Sequence, residues 1–314
     1  MNSPAFSIRA AAAVAASAAL LLGACGGEDA ATDPMSSTLR IDITDAPLTG
    51  VTKVWVQFTG IEIKPRGGPA QQFTFVPPKG YDLLTLQGGN AATLLGDSTV
   101  APGDYEWIRL MPDATPGALY VETAAGRRNI RIPSGLESGL KLQRGFVMPA
   151  GGRADFTIDF DLAKSLLAPP GQAPDVLMKP VLRLVDNIQA GTLEGSFNPQ
   201  TLAAQAACTG KAPRIYVYTP VTLTPDDLYN PESGAPDTMP GIDPLVTVIA
   251  KLNASGAFAY RISFLPANTY TVAFTCNDDD PAVDESALVP NPITFTLHPQ
   301  AAVITAGQTT TANF

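Results

Sequence analysis

The chain contains one histidine and three cysteines among its 314 residues, and this scarcity excludes several kinds of chemistry. Zinc sites need more His and Cys ligands than the sequence offers. Nucleophilic catalysis needs a base beside the nucleophile, and His298 lies in an alternating segment beside Pro299, where a strand-end histidine in solvent is the simpler interpretation. The HExxH, GxSxG and phosphate-loop patterns are absent from the sequence. We therefore expect no metalloprotease, serine hydrolase or nucleotide site, and no cofactor.

Positive charge is also scarce. The chain has 20 Lys and Arg against 29 Asp and Glu, a formal net charge of -9, and no run rich in basic residues. Such an acidic surface repels nucleic acid and anionic lipid headgroups, so we expect no nucleic-acid partner. Turn-forming residues are abundant instead, with 29 Pro and 27 Gly, and apolar residues at 45% suffice for a core. This composition indicates short strands.

The N-terminal segment predicts where the protein resides. An apolar run at 10–22 follows Arg9, with the length of a secretory signal and too short to span a bilayer. The Leu-Gly-Ala before Cys25 resembles the bacterial lipobox, where a signal peptidase cuts ahead of a cysteine that has received a diacylglycerol. The resemblance implies that 1–24 is a lipoprotein signal peptide and that lipidated Cys25 anchors the protein in a membrane of the cell envelope, expected to be the outer membrane, facing the periplasm or the cell surface. The alternative is an ordinary signal, with Cys25 left as a free thiol.

The other two cysteines are Cys208 and Cys276, 68 positions apart and both in the exported part of the chain. Disulfides persist in that compartment, so we predict that they pair, with two buried thiols as the alternative. Residues 25–37 have almost no apolar content and are interpreted as a tether that reaches about 40 Å when extended.

Alternating apolar residues predict an all-β protein of two β-sandwich domains, of Ig-like or transthyretin-like type, at 38–188 and 189–314. In KVWVQFTGIEIK, 53–64, apolar residues alternate at even-numbered positions before Gly60 and at odd-numbered positions after it. This shift by one residue at a glycine predicts one bent strand with a β-bulge. Short helices are expected only at 83–95 and 162–167.

Four motifs in the first half resemble a known family. They are IDITDAP at 41–47, KVWVQFTGIEIK at 53–64, GDYEWIRL at 103–110 and DFTIDFDLAKSL at 155–166. In that order they resemble the bacterial lipoprotein domains grouped as the domain of unknown function DUF4382, over residues 37–186. The resemblance implies a β-rich exported domain without an established activity.

The second half is similar to carboxypeptidase regulatory-like, or transthyretin-like, sandwich domains, through ASGAFAYRISFLPANTYTVAF at 254–274. Its NASG turn at 253–256 predicts a hairpin. APGDYEWIRL at 101–110 and LPANTYTVAF at 265–274 both place a Pro-containing turn before a Tyr-led strand. Two sandwiches of similar type are therefore conceivable.

Carboxylates are the remaining candidates for chemistry. Asp159 and Asp161 lie two apart on one strand face, a spacing compatible with a glycosidase pair or calcium ligands, although solvated strand faces carry such residues routinely. Asp45 is interpreted as a turn residue that caps backbone amides. The loop NDDDPAVDE, 277–285, offers weak calcium candidates, without EF-hand spacing and with a solvated acidic loop as the default. These candidates are Asp278, Asp279, Asp280, Asp284 and Glu285.

The Pro-rich stretch 219–244 is interpreted as a long surface loop, either functional or disordered, whose central residues 222–242 are removable without unfolding the domain. The predicted function is a lipid-anchored, non-catalytic binding or structural module of the cell envelope, with a protein or glycan partner left open. The alternative is a glycan-acting enzyme centred on Asp159 and Asp161.

Overall fold

A computed structural model describes residues 35–45, 48, 50–133, 135–167, 175–219, 221, 225–228, 242–279, 285–286, 289–290 and 293–314. Cys25, Asp280, Asp284 and most of 219–244 lie outside these residues. None of the helices that the structure describes is long and apolar enough to cross a membrane. Residues Pro34–Phe314 form one compact unit.

The first half, residues 35–186, consists almost entirely of strands. Its strands are β1 Ser37–Asp45, β2 Lys53–Pro65, β3 Gln71–Asp82, β4 Ala92–Val100, β5 Gly103–Pro112, β6 Tyr120–Thr123, β7 Gly126–Arg131, β8 Leu140–Leu142, β9 Phe146–Met148, β10 Arg153–Phe160, β11 Leu166–Leu167, β12 Val176–Met178 and β13 Leu182–Asp186. Its helices are a 3-10 turn at Leu83–Leu86, α1 at Gly135–Ser138 and α2 at Leu162–Ser165. The helix predicted at 83–95 is thus a single turn followed by β4, because Asp82 caps a turn of only four residues and the chain becomes extended again at Ala92.

Two sheets of the first half enclose its core. One has the order β13-β10-β1-β4, and the other the order β11-β12-β7-β6-β2-β5-β8, with β3 added to β2 and β9 to β5. Pro180 lies where the chain passes from β12 in one sheet to β13 in the other. Proline has no backbone N–H to donate to a β-ladder, so Pro180 suits this position between two strands, where it belongs to neither.

The bulge predicted at Gly60 is confirmed. Strand β2 is continuous, and its register against both β3 and β5 shifts between Phe58 and Gly60. Phe58 and Ile61 are both buried, so the extra residue keeps apolar side chains on the inner face. A Cβ at Gly60 would lie 2.6 Å from the carbonyl oxygen of Phe73, which explains the glycine.

The second half, residues 187–314, forms another pair of sheets. Its strands are β14 Ala190–Ser196, β15 Arg214–Tyr218, β16 Val246–Ile249, β17 Lys251–Leu252, β18 Phe258–Pro266, β19 Asn268–Thr275, β20 Glu285–Ser286, β21 Val289–Pro290, β22 Thr296–Ile304 and β23 Thr309–Thr311. Its helices are 3-10 turns at Asn187–Gln189 and Ala206–Cys208, and α3 at Pro199–Ala203. The sheets have the orders β17-β18-β14-β23 and β16-β15-β19-β22, and β20 pairs with β21.

The predicted turn and the predicted disulfide of the second half are both present. Asn253 accepts backbone hydrogen bonds from Ser255 and Ala257 and closes the hairpin between β17 and β18. Cys208 and Cys276 form a disulfide with Cα atoms 4.9 Å apart. The all-β class is confirmed, and the two main cores draw on residues up to Leu184 and from Leu193 respectively. The predicted domain limits themselves stay a prediction.

The two halves share a strand arrangement. The first strand of each half, β1 or β14, pairs in parallel with a late strand, β10 or β23. On its other side it pairs antiparallel with the strand that precedes the Tyr-led strand, β4 or β18. Tyr105 donates to the carbonyl of Ala101 at 2.9 Å, and Tyr270 donates to that of Pro266 at 2.7 Å. Both are tyrosine corners, so the sequence similarity between the two turns reflects the same structural device.

Candidate functional site

The predicted carboxylate pair lies at the junction of the two halves. Asp159 on β10 faces Arg183 on β13, which donates to it at 2.6 and 3.2 Å. Asp159 is only 8% exposed, and Thr157 on the same face is fully buried. The expectation of a solvated strand face is therefore wrong, because β18 and the 3-10 turn Asn187–Gln189 of the second half pack beside this sheet.

Asp161 has a different role. It is the N-cap of α2, accepting a hydrogen bond from the Lys164 amide at 3.1 Å. Burial raises the pKa of its carboxyl, although Lys164 opposes the shift. Both aspartates line one cavity of about 220 Å³ with Arg183 and residues 244–246. The structure thus brings the predicted pair together, with Asp159 in an ion pair and Asp161 used as a cap.

Asp45 completes this acidic group. It ends β1, is 5% exposed and accepts from Gln87 at 3.4 Å, while its Oδ1 has no partner among the described residues. Burial is the main cause that raises its pKa well above the ordinary value, and repulsion from Asp159 adds to it. The Leu162 backbone amide at the start of α2 opposes this shift, so the Asp45 carboxyl lies beside α2 rather than acting only in its own turn.

The calcium candidates that the structure describes do not form one site. Asp278 pairs with Lys211 at 2.7 Å and is exposed, whereas Asp279 is buried and accepts from the Tyr216 hydroxyl. Among the described residues no group of three acidic, His or Cys side chains is arranged to hold a metal ion. Glu285 begins β20.

The long loop is partly a structural element. The Tyr218 hydroxyl donates to the Asp226 carbonyl at 2.6 Å, and Leu228 is 1% exposed in a cluster with Tyr216 and Tyr218. Deleting 222–242 would remove this cover from two tyrosines, so we expect the deletion to destabilise the second half, contrary to the expectation from the sequence. Residues 220, 222–224 and 229–241 lie outside the part of the chain that the structure describes.

One cavity was not predicted from the sequence. It is an open groove of about 850 Å³ at the edge of the same junction. The first half contributes Leu48, Gln87, Gly88 and Asn90, and the second half contributes β14, β17, β18 and β23. Because these residues are scattered over the whole length of the chain, no local sequence motif marks the groove.

The loop of the first half beside the groove approaches the second half closely at Gly89. Gly89 has φ +93°, and a Cβ there would lie 2.5 Å from the Ser263 hydroxyl of β18. Glycine is therefore required where the loop after the Leu83–Leu86 turn meets the second half.

The floor of the groove combines apolar and polar groups. Leu252 is 63% exposed, and Arg261 pairs with Glu194 at 2.5 Å across β18 and β14. Asn313 accepts a hydrogen bond from the Ser196 amide at 2.8 Å. An open groove of this composition suits an extended ligand held by apolar contact and hydrogen bonds.

Residues 36–180 match the family model described as Domain of unknown function (DUF4382). The predicted resemblance to DUF4382 is confirmed over these residues. This DUF4382 segment contains both sheets of the first half except β13, and it ends before the strands that line the groove. No curated protein matches the chain.

Solved structures give weak similarities over most of the chain. The TIE protein of Bacillus anthracis is 11% identical with a TM-score of 0.19, and the match covers 89% of this chain and 34% of that one. GBS52, the minor pilin of Streptococcus agalactiae, is 10% identical with a TM-score of 0.18, covering 88% of this chain and 94% of the pilin. BcpA, the major pilin subunit of Bacillus cereus, is 10% identical with a TM-score of 0.18, covering 89% and 69%. At these scores the similarities carry no argument about function.

Proposed function

We propose that the protein is a lipid-anchored, non-catalytic binding module of the bacterial cell envelope, and that the groove at the junction holds its ligand. The observation that supports this is the groove itself, whose walls come from both halves. The lipobox resemblance at Cys25 supports the anchor and the envelope location.

The carboxylates support a structural role over a catalytic one. Asp159 is engaged in an ion pair with Arg183 at 2.6 Å, so its carboxylate oxygen is already used within the fold. Asp161 is engaged as a helix cap. A glycan-acting enzyme is the second candidate, favoured by the single cavity that the two aspartates share.

Binding is tested by filling the groove. Ala259 lies on its wall in β18, and Ala259→Trp introduces a large side chain there. The matched control is Ala301→Trp on β22, at an exposed position that does not line the groove. We expect Ala259→Trp to abolish capture of a fractionated envelope polysaccharide or protein and the control to retain it. Equal capture by both variants would contradict the assignment of the groove.

Anchoring is tested separately. Cys25→Ser should block processing of the signal and move the protein from the detergent phase to the aqueous phase, because stable anchoring needs more than one acyl chain. Cys25→Ser protein that still partitions with detergent would contradict the lipoprotein proposal.

A further inference from the structure

Both tryptophans of the chain lie on the outward face of the sheet that contains β2 and β5. Trp55 and Trp107 alternate with buried neighbours and are partly exposed. Tyr120 on β6 is opposite Trp55, and their rings stack with centroids 6.4 Å apart. Amphipathic aromatic side chains that remain partly in water are enriched at interfaces.

Each of these three rings has a cation over it. The distances to the ring centroid are 4.5 Å for Arg109 and 4.7 Å for Lys141 on Trp107, 3.5 Å for Arg127 on Tyr120, and 5.6 Å for Lys53 on Trp55. Such cation–π pairs hold the basic groups against the sheet instead of letting them extend freely.

We call this surface the basic face. Its charged positions on β2, β5, β6, β7 and β8, exposed or partly exposed, are the basic residues Lys53, Lys64, Arg109, Arg127, Arg131 and Lys141 and the acidic residues Glu62, Asp104, Glu106 and Glu122. Six basic and four acidic residues leave a charge of +2 on the face, while the whole chain carries -9. The average acidity of the sequence therefore conceals one surface of opposite sign.

The composition and shape of the basic face fit an anionic membrane surface. Trp and Tyr together with Lys and Arg are the side chains that prefer the membrane–water interface. Each Lys or Arg near an anionic leaflet contributes about 1 kcal/mol of attraction. A broad sheet face matches an extended surface, whereas a groove is better suited to a single polymer chain. An anionic membrane repels the acidic remainder of the molecule, and this repulsion turns the basic face toward the membrane.

The start of the fold lies near one end of this face. The Ser37 hydroxyl donates to the Pro149 carbonyl at 2.5 Å. Pro149 directly follows β9, and β9 pairs with β5 at 103–105, two residues before Trp107. The 11 residues between Cys25 and Ser37 span about 40 Å when extended, so an anchor at Cys25 allows the basic face to touch the same bilayer.

We infer that the basic face docks the first half onto membranes rich in anionic phospholipid, leaving the groove accessible. The inference rests on the proposed function for the tether, but the face is tested without the lipid. A suitable protein is residues 25–314 carrying Cys25→Ser, which contains the whole compact unit.

The experiment is sedimentation with vesicles of phosphatidylcholine alone or with 30% phosphatidylglycerol, combined with tryptophan emission. Because both tryptophans lie on the basic face, their emission should shift to the blue only with anionic vesicles. Lys53→Gln with Lys141→Gln should weaken partitioning about 30-fold, since two cations contribute about 1 kcal/mol each. The control pair, Lys211→Gln with Lys251→Gln in the second half, makes the same charge change and should leave partitioning unaltered.

Absence of binding to anionic vesicles, or an equal loss in the control pair, would overturn the inference. Tighter binding to a soluble acidic polysaccharide or to DNA than to the vesicles would also overturn it, in favour of a polymer partner. Neither result bears on anchoring, which the detergent partitioning of the lipidated chain decides independently.

Discussion

The two halves are built alike and differ in what covers their outward faces. Each has a tyrosine corner, at Tyr105 or Tyr270, and a first strand flanked by one parallel and one antiparallel neighbour. In the first half the outer face of the β13-β10-β1-β4 sheet is buried beside the second half around Thr157 and Asp159, so the polar residues there make ion pairs and caps. In the second half the outer face of the β17-β18-β14-β23 sheet forms the groove. Similar frameworks therefore carry a structural surface in one case and a candidate ligand site in the other.

The disulfide distinguishes the halves most strongly. The second half has the smaller core among the described residues, and its disulfide closes a 68-residue separation. Replacing Cys208 and Cys276 with Ser should lower the free energy of unfolding by about 4 kcal/mol on the loop-entropy model. Differential scanning calorimetry should then resolve an early transition for the second half. A loss below 1 kcal/mol would show that packing alone stabilises this half.

Breaking the buried ion pair between Asp159 and Arg183 should cause the second-largest loss of stability. Asp159→Ala leaves Arg183 at the junction without its carboxylate, and we expect a loss of about 3 kcal/mol, because an uncompensated buried charge is costly. Glu194→Ala, which breaks the exposed pair with Arg261, is the matched control and should cost less than about 1 kcal/mol. Denaturant unfolding measures both. Equal losses would mean that the junction is not desolvated.

Because both halves contain a tyrosine corner, removing the tyrosine hydroxyl should cause an equal loss of stability in each half. Tyr105→Phe and Tyr270→Phe each remove one hydrogen bond to a carbonyl four residues upstream, and each should cost about 1 kcal/mol. Chemical denaturation of the single and double variants tests this. A large effect in one half with none in the other would break the structural parallel.

The smallest predicted effect is a gain in stability, from a substitution of Asp45. Since burial raises the pKa of Asp45, the folded protein binds the Asp45 proton more tightly than the unfolded chain does. Stability from this group is thus fully present below the unfolded value of 3.8 and is lost as pH rises through the folded pKa. Asp45→Asn should raise Tm at pH 7 by about 3 °C and reduce the fall in stability with pH.

Asp97 supplies the comparison for that prediction. It is an exposed carboxylate whose pKa is lowered by its hydrogen bond to Arg153. Asp97→Asn should give no gain at pH 7. A gain as large as that of Asp45→Asn would show that removing any negative charge from this acidic chain is stabilising.

The sequence predicted the strands, the Gly60 bulge, the NASG hairpin and the disulfide because each depends on local periodicity, turn chemistry or compartment. It did not predict the burial of Thr157 and Asp159, since a strand with polar residues on alternate positions looks the same whether that face meets water or a polar junction. The groove was missed because Gln87, Glu194 and Asn313 meet only after both halves have packed. The basic face was missed because net charge averages over the chain.

The central claim is that the protein binds through the groove and does not turn its ligand over. The most direct measurement follows binding and product release together, on the envelope polysaccharide fraction that the protein captures. The comparison includes the unsubstituted chain, Ala259→Trp, and Asp159→Asn with Asp161→Asn. We predict capture without product by the unsubstituted chain, capture lost in Ala259→Trp, and capture retained in the aspartate variant. Product that forms with the unsubstituted chain and disappears in the aspartate variant would contradict the account and identify a carboxylate enzyme.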